Sequence, residues 1–367
     1  MIYDYAIIGA GMAGASIAAE LARLSRGKLK IALLEAEDAP GYHATGRSAA
    51  FWEECYGGPD IVPLTLASGA YLQEHGFLKP RGALYIGRAE DVAALDAFER
   101  RFGQTGATFE RIGQDALPTK VATLKPEWSE AIWQPDCADI DVAGLHQHYL
   151  TMAKKYGVDL VTRFRLASAK RIECGWHLSD ERGRAIETGR FVNAAGAWAD
   201  EVARIAGFEP KGISPLRRTV VQLRVDPKPF RDQPLVLDIS GRFYFKPEGE
   251  RLWLSPHDEV PSSACDAAPE ELDIATAIDR LEQVLDVKIK AVERSWAGLR
   301  SFAPDRLPVY GPDPADERFV WFAGQGGYGI QTAPAAARLL AETLLGLPRS
   351  GMTETIDPVP YSAARFG

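Results

Sequence analysis

The chain has 367 residues, 46% hydrophobic and 25% charged, the balance of a soluble globular protein able to bury a core without disulfide staples. With 42 Lys plus Arg against 50 Asp plus Glu, the net charge is −8, which gives no electrostatic reason to expect nucleic acid or an anionic membrane as partner. Cys55, Cys137, Cys174 and Cys265 form no CxxC pair, and no apolar run reaches the ~20 residues of a membrane span. The expectation is a cytoplasmic protein, with no signal peptide ahead of its first strand and no transmembrane segment.

The first predicted element is a buried strand over residues 5–8, whose side chains are β-branched and aromatic. Gly9-Ala10-Gly11-Met12-Ala13-Gly14 follows, then a helix over 15–24 and a second apolar strand over 31–34 that closes on Glu35. The three glycines serve different ends. Gly9 makes the tight turn, Gly11 admits a pyrophosphate, and Gly14 lets helix and strand pack closely. The helix N-terminus offers free N–H groups and partial positive charge to phosphates, with Met12 and Ala13 in the turn just ahead of it. Glu35 suits a ribose 2′-OH. Strand, turn, helix, strand and terminal acid together leave NAD or FAD as the ligand.

Residues 40–50 (PGYHATGRSAA) then form a polar loop, and an α/β pattern resumes only near residue 141. A helix is predicted over 145–156, a strand over 160–164, and another over 190–195 that runs into Gly196-Ala197-Trp198. Residues 217–298 are strand-rich, with strands predicted at 219–225, 235–239, 243–246 and 252–255 and a helix over 273–285. A strand over 319–323 leads through Gly324-Gln325-Gly326-Gly327-Tyr328-Gly329 into a helix over 331–345, which Gly346 stops. A simple NAD dehydrogenase completes its nucleotide-binding domain without such interruptions, so the broken pattern argues for FAD. Thr45, Arg47 and Ser48 carry donors suited to the pyrophosphate and flavin edge. The glycines of 324–329 allow close backbone approach to a ligand.

These segments resemble the D-amino acid oxidase family of FAD-dependent amine oxidoreductases, which includes glycine oxidase and sarcosine oxidase. The resemblance runs through GAGMAG with Glu35, PGYHATGRSAA, ADIDVAGLHQHYL, VNAAGAWAD, WAGLRSFAPD and GQGGYGIQT, and several of these are similar to the D-amino acid and D-arginine dehydrogenases. It implies an α/β, Rossmann-like FAD-binding domain (1–80, 141–216 and 299–367). An α+β substrate domain with an antiparallel sheet (81–140 and 217–298) is interleaved with it.

It also implies non-covalent FAD held by Gly9, Gly11, Met12, Ala13, Gly14, Glu35, Thr45, Gly46, Arg47, Ser48, Ala195, Gly196, Trp198, Arg300, Gly326, Gly327, Tyr328, Gly329, Ile330, Gln331 and Thr332. A thioether tether to a cysteine beyond the carboxylate-binding arginine is not expected, because no cysteine follows Cys265.

By the same resemblance Arg300 clamps a substrate carboxylate, where a bidentate fork places the α-carbon. Arg218 is a second pocket cation, and Tyr56, Tyr244 and Gln331 supply hydrogen bonds. Two positions depart from the arginine-preferring pattern: Phe51 replaces a polar residue, and Ala83 replaces an acid that would meet a cationic side chain. Glu53 and Glu54 are new acids nearby. His43, His146 and His148 read as structural, and no metal cluster is visible.

The implied reaction is oxidative deamination of a D-amino acid to a 2-oxo acid and ammonia, by hydride transfer from the α-carbon to flavin N5. Oxidation of a secondary amine (sarcosine or an imino acid) or of a 2-hydroxy acid stays open, as does a non-catalytic flavin-binding assembly factor. The electron acceptor (O2, a quinone or another carrier) is also open.

Overall fold

A computed structural model describes residues 2–366. Its first sheet is centred on the strand Ile2–Ile8, which pairs in parallel with Ile31–Leu34 on one side and Ala185–Asn193 on the other. Asp159–Val161 extends the parallel run beyond Ile31–Leu34, and Asp316–Ala323 extends it beyond Ala185–Asn193. Strands covered on both faces can be apolar throughout, and Ile31–Leu34 is buried at every position. The helices Met12–Leu24, Val142–Lys155 and Ala333–Leu345 cover one face, and Phe164, Trp176, Phe191, Phe208 and Trp321 fill the other beneath the helix Ala199–Ile205.

The second sheet is built on the antiparallel pair Ser214–Asp226 and Lys288–Phe302. It continues through Arg251–Ser255, Tyr244–Glu248 and Leu235–Asp238 to Ala83–Gly87, Glu130–Gln134 and Glu110–Gly113. A small sheet of Phe51–Trp52, Ala138–Ile140 and Leu78–Pro80 joins the two regions. Among the described residues, no helix is long and apolar enough to cross a membrane.

The differences from the predicted elements have local causes. The first helix begins at Met12 because extended Gly11 serves as its N-cap. The last helix begins at Ala333, with Pro334 in the first turn where its fixed φ fits, so Gln331 and Thr332 precede it. The strand expected over 160–164 stops at Val161, since Arg163 adopts a left-handed conformation (φ 56°) and turns the chain. Residues 296–300, predicted only as a motif, belong to the 15-residue strand Lys288–Phe302. Both long strands run through the expected domain boundaries at 217 and 299.

Candidate active site

The C-terminal ends of the parallel strands open into a cleft with about 1730 Å³ of free space, open solvent included. It runs from the glycine turn and Glu35 at one end to Arg218 and Arg300 at the other. The glycine turn is built for close approach. Gly9 has φ 95°, and a Cβ there would stand 2.6 Å from Ala194 O. A Cβ on Gly14 would fall inside the carbonyl oxygen of Gly9, so helix and turn can pack only around glycine.

Glu35 lines the cleft at the end of its strand. Its Oε2 accepts from Ala10 N at 2.8 Å and its Oε1 from Glu37 N at 2.9 Å, which fixes the carboxylate while each oxygen keeps a lone pair. Ala195, Gly196 and Trp198 form the facing wall, with the Trp198 ring 4.7 Å from that of His43. These residues fit FAD: a backbone cradle with no side chains in the way, a helix N-terminus, and an acid at ribose distance along the chain.

Two expected phosphate ligands act differently. Thr45 Oγ1 accepts from Met12 N at 2.9 Å, so Thr45 caps the helix. Arg47 spends its guanidinium on Asp266, on Ala267 O at 2.8 Å and on Ala297 O at 3.3 Å. It therefore pins residues 265–267 across the loop 40–50 while lining the cleft. Tyr42 holds Asp266 from the other side at 3.0 Å.

At the opposite end of the cleft, sheet register explains the chemistry. Arg218 pairs with Gly298 across the long strands, and Arg300 lies two residues further on, so both side chains emerge on one face. Both line the cleft, as do Val220 and Tyr244. Arg300 donates to the Tyr56 hydroxyl. The space they share is left by Gly327, where a Cβ would stand 2.5 Å from Tyr56 Oη and 2.9 Å from Arg300 Nη1. Arg218 donates to Asp258 O at 2.6 Å and pairs with Glu259 at 3.2 Å, but its Nη1 and the Tyr244 hydroxyl are buried without a partner.

Burial, and then the Arg300 charge, depress the pKa of Arg218. Burial together with Arg218 and Arg300 pushes His257 down to about 3, so its imidazole is neutral beside Tyr244, 5.7 Å between ring centroids. A concentration of cationic and hydroxyl donors with unmet hydrogen bonds is a receptor for an anionic acceptor such as a carboxylate.

Several expected site residues stand elsewhere. Gln331 does not reach the cleft: its amide bonds Glu53 O at 3.1 Å and Thr65 Oγ1 at 2.9 Å, and its Oε1 accepts from Glu53 N at 3.3 Å. Tyr328 is buried and donates to Arg306 O, and Thr332 donates to Tyr328 O at 3.0 Å. Gly46 supports the loop, its N–H bonded to Gly41 O at 2.8 Å. Gly326, Gly327, Gly329 and Ile330 do line the cleft. Phe51 is buried against Tyr56 and Tyr244. Glu53 and Glu54 are buried and bonded to Tyr85 and Thr108 respectively, so neither offers a carboxylate to the cleft.

His146 is a strut to Ala10 O at 2.9 Å, and His148 bonds Tyr71 at 2.7 Å. Ala36, Glu37, Phe164–Leu166 and Glu201 line the cleft without having been singled out from the sequence, and Cys265, named there only as the last cysteine, lines it too. Only the position of residues 36 and 37 just after Glu35 marked any of them.

Comparisons with known proteins agree with this geometry. A family model described as "DAO: FAD dependent oxidoreductase" matches residues 4–343. The chain is 25% identical to FAD-dependent oxidoreductase domain-containing protein 1 of Bos taurus, over 99% of this chain and 84% of that protein. It is 26% identical to mitochondrial dimethylglycine dehydrogenase of Rattus norvegicus, covering 97% of this chain but only 44% of the relative. Among solved structures, glycine oxidase from Geobacillus kaustophilus superposes with a TM-score of 0.84 at 21% identity, covering 99% and 98% of the two chains. L-proline dehydrogenase from P. horikoshii gives 0.83 at 22% identity over 97% of each chain.

Proposed function

The chain belongs to the DAO family of FAD-dependent oxidoreductases, and we propose that it oxidises the α-carbon–nitrogen bond of a D-amino acid to give a 2-oxo acid and ammonia. The observation that carries this reading is the pair of guanidinium groups on one sheet face, Arg218 buried and Arg300 half-buried, with the unpartnered Tyr244 hydroxyl and Arg218 Nη1 beside them. Bound FAD supplies the two-electron acceptor that takes the α-hydride. Arg300 orients the carboxylate as a fork, Arg218 and Tyr244 satisfy its remaining lone pairs, and Tyr56 holds Arg300 in place. Gly9, Gly11, Glu35 and the first turn of the helix Met12–Leu24 would hold the cofactor without a covalent link. Acid precipitation then releases all the flavin; colour kept on the pellet would point to Cys265, which lines the cleft.

Ala49, Val220 and Tyr244 line the cleft beside Arg218 and Arg300, and Phe51, Ala83 and Leu237 pack behind them in one buried cluster. That cluster offers no carboxylate to a substrate side chain, and burying an unpaired cation there costs several kcal/mol. Neutral side chains such as those of D-leucine, D-methionine and D-phenylalanine are therefore favoured over D-arginine.

A second reading, oxidation of an N-alkylated amine such as sarcosine or an imino acid, or of glycine itself, is favoured by the relatives named dimethylglycine dehydrogenase and glycine oxidase. An anaerobic screen of D-, L- and N-methyl amino acids, followed by flavin bleaching, separates the two. Fastest bleaching by a neutral D-amino acid supports the first reading, and preference for sarcosine or proline replaces it. No bleaching by any of them leaves a 2-hydroxy acid as substrate or a binding protein.

A further inference from the structure

The turn that carries Tyr56 is held by a group the reaction does not use. Glu53 is completely buried. Its Oε1 accepts from Cys55 N at 2.8 Å and its Oε2 from the Tyr85 hydroxyl at 2.6 Å. Its main chain is gripped on both sides by Gln331, and Tyr56 N bonds back to Glu53 O at 3.2 Å. One carboxylate thus ties the 53–56 turn to the strand Ala83–Gly87 of the second sheet, while Gln331 ties it to the start of the last helix. The last side chain of that turn is Tyr56, against Arg300.

We propose that Glu53 is a positioning residue for the carboxylate clamp: its ionised side chain sets the turn that presses Tyr56 onto Arg300, and so couples clamp geometry to the protonation of a buried acid. This rests on the carboxylate-receptor reading of Arg300. When ionised, both oxygens accept, one from Cys55 N and one from Tyr85; a proton on either turns that oxygen into a donor, and its bond must be remade. Burial raises the pKa of Glu53 to about 7, opposed by its bonds from Tyr85, Cys55 N and Gln134 and aided by the charge of Glu54. The other titratable groups facing it are the thiols of Cys55 and Cys137, both pushed up by burial. Beyond Cys137 stands the ion cluster of Asp139, Arg81 and Lys246. The change of state falls in the working range of pH for a reason built into the packing.

The test is calorimetric binding of isovalerate to the FAD-loaded protein between pH 6 and 8. Isovalerate has a carboxylate and an apolar tail but no amine, so neither its own proton nor turnover intrudes. Affinity of the unaltered protein is expected to fall about fivefold as pH drops through the transition, the worth of one hydrogen bond. Glu53→Gln should abolish the transition. Tyr85→Phe, which removes a donor to the carboxylate and leaves the clamp untouched, should move it to higher pH, and it decides the matter if Glu53→Gln does not fold. A flat profile in the unaltered protein, a transition that survives Glu53→Gln, or one unmoved by Tyr85→Phe would overturn the proposal. Failure of isovalerate to bind at any pH would overturn the receptor reading itself, and this inference with it.

Discussion

The two ends of the cleft are made in different ways. The cofactor end is a backbone device: Gly9 and Gly11 line the cleft without side chains, Gly14 lets the helix pack onto the turn, and Glu35 closes the next parallel strand. The substrate end is a side-chain device. Arg218 and Arg300 become neighbours only through the register of two strands distant in sequence, and Tyr56 reaches them from a turn between the sheets. A backbone device tolerates almost no added atoms, whereas a side-chain device fails by losing geometry or charge.

The comparison breaks most visibly at Gly14. Its Cβ would meet the main chain of Gly9 and no side-chain rotation relieves that, so Gly14→Ala should leave a protein purified without flavin and destabilised by ~1–3 kcal/mol or more. At Gly11 a Cβ would meet only the movable Thr45 Oγ1, at 3.1 Å, but it would project where the pyrophosphate approaches, so Gly11→Ala should keep its fold and lose much of its flavin. The flavin-to-protein absorbance ratio and the melting temperature check both.

At the other end, Arg300→Lys keeps the charge and loses the fork. It should cost ~2–5 kcal/mol in the rate of flavin reduction per unit substrate concentration, with FAD still bound. Wild-type reduction kinetics would make Arg300 structural.

Glu53 gives a third, pH-dependent contrast. It holds its proton up to about pH 7 in the folded chain, against 4.5 for an ordinary glutamate. The folded state therefore carries the extra proton between these values, and stability falls as pH rises through that window. Glu53→Gln should remove this slope, worth about 3 kcal/mol at most. Denaturant midpoints at pH 5 and pH 8 read it directly. Smallest of the four, Glu35→Gln exchanges one acceptor for a donor where Ala10 N and Glu37 N already bond. FAD affinity should drop by ~1–3 kcal/mol, measured by fluorescence titration of the apoprotein, and unchanged affinity would place the ribose elsewhere.

The cofactor end was legible in the sequence because its constraint is local: glycine spacing, an apolar strand on each side, and an acid at the second strand's end. Arg300 was legible only through its motif, and its pairing with Arg218 required the strand register that puts Arg218 opposite Gly298. Arg47 looked like a phosphate ligand because nothing local announces Asp266, which lies on a segment without regular structure. Gln331 and Tyr328 sit among glycines that do line the cleft, but their side chains turn into the packing between the last helix and the 53–56 turn or the 303–308 loop. Glu53 read as an acid available to a cationic substrate. Its commitment to Tyr85 depends on a contact between sheets that no spacing encodes.

The central claim is that the deep end of the cleft recognises a carboxylate. Its most direct test needs no mutation: compare anaerobic flavin reduction by D-leucine with that by isoamylamine, the same molecule without its carboxylate. If Arg300, Arg218 and Tyr244 form the receptor, removing the carboxylate costs ~2–5 kcal/mol, and isoamylamine should be slower by roughly thirty- to several-thousandfold in rate per unit concentration. Equal reduction by the two compounds would contradict the account.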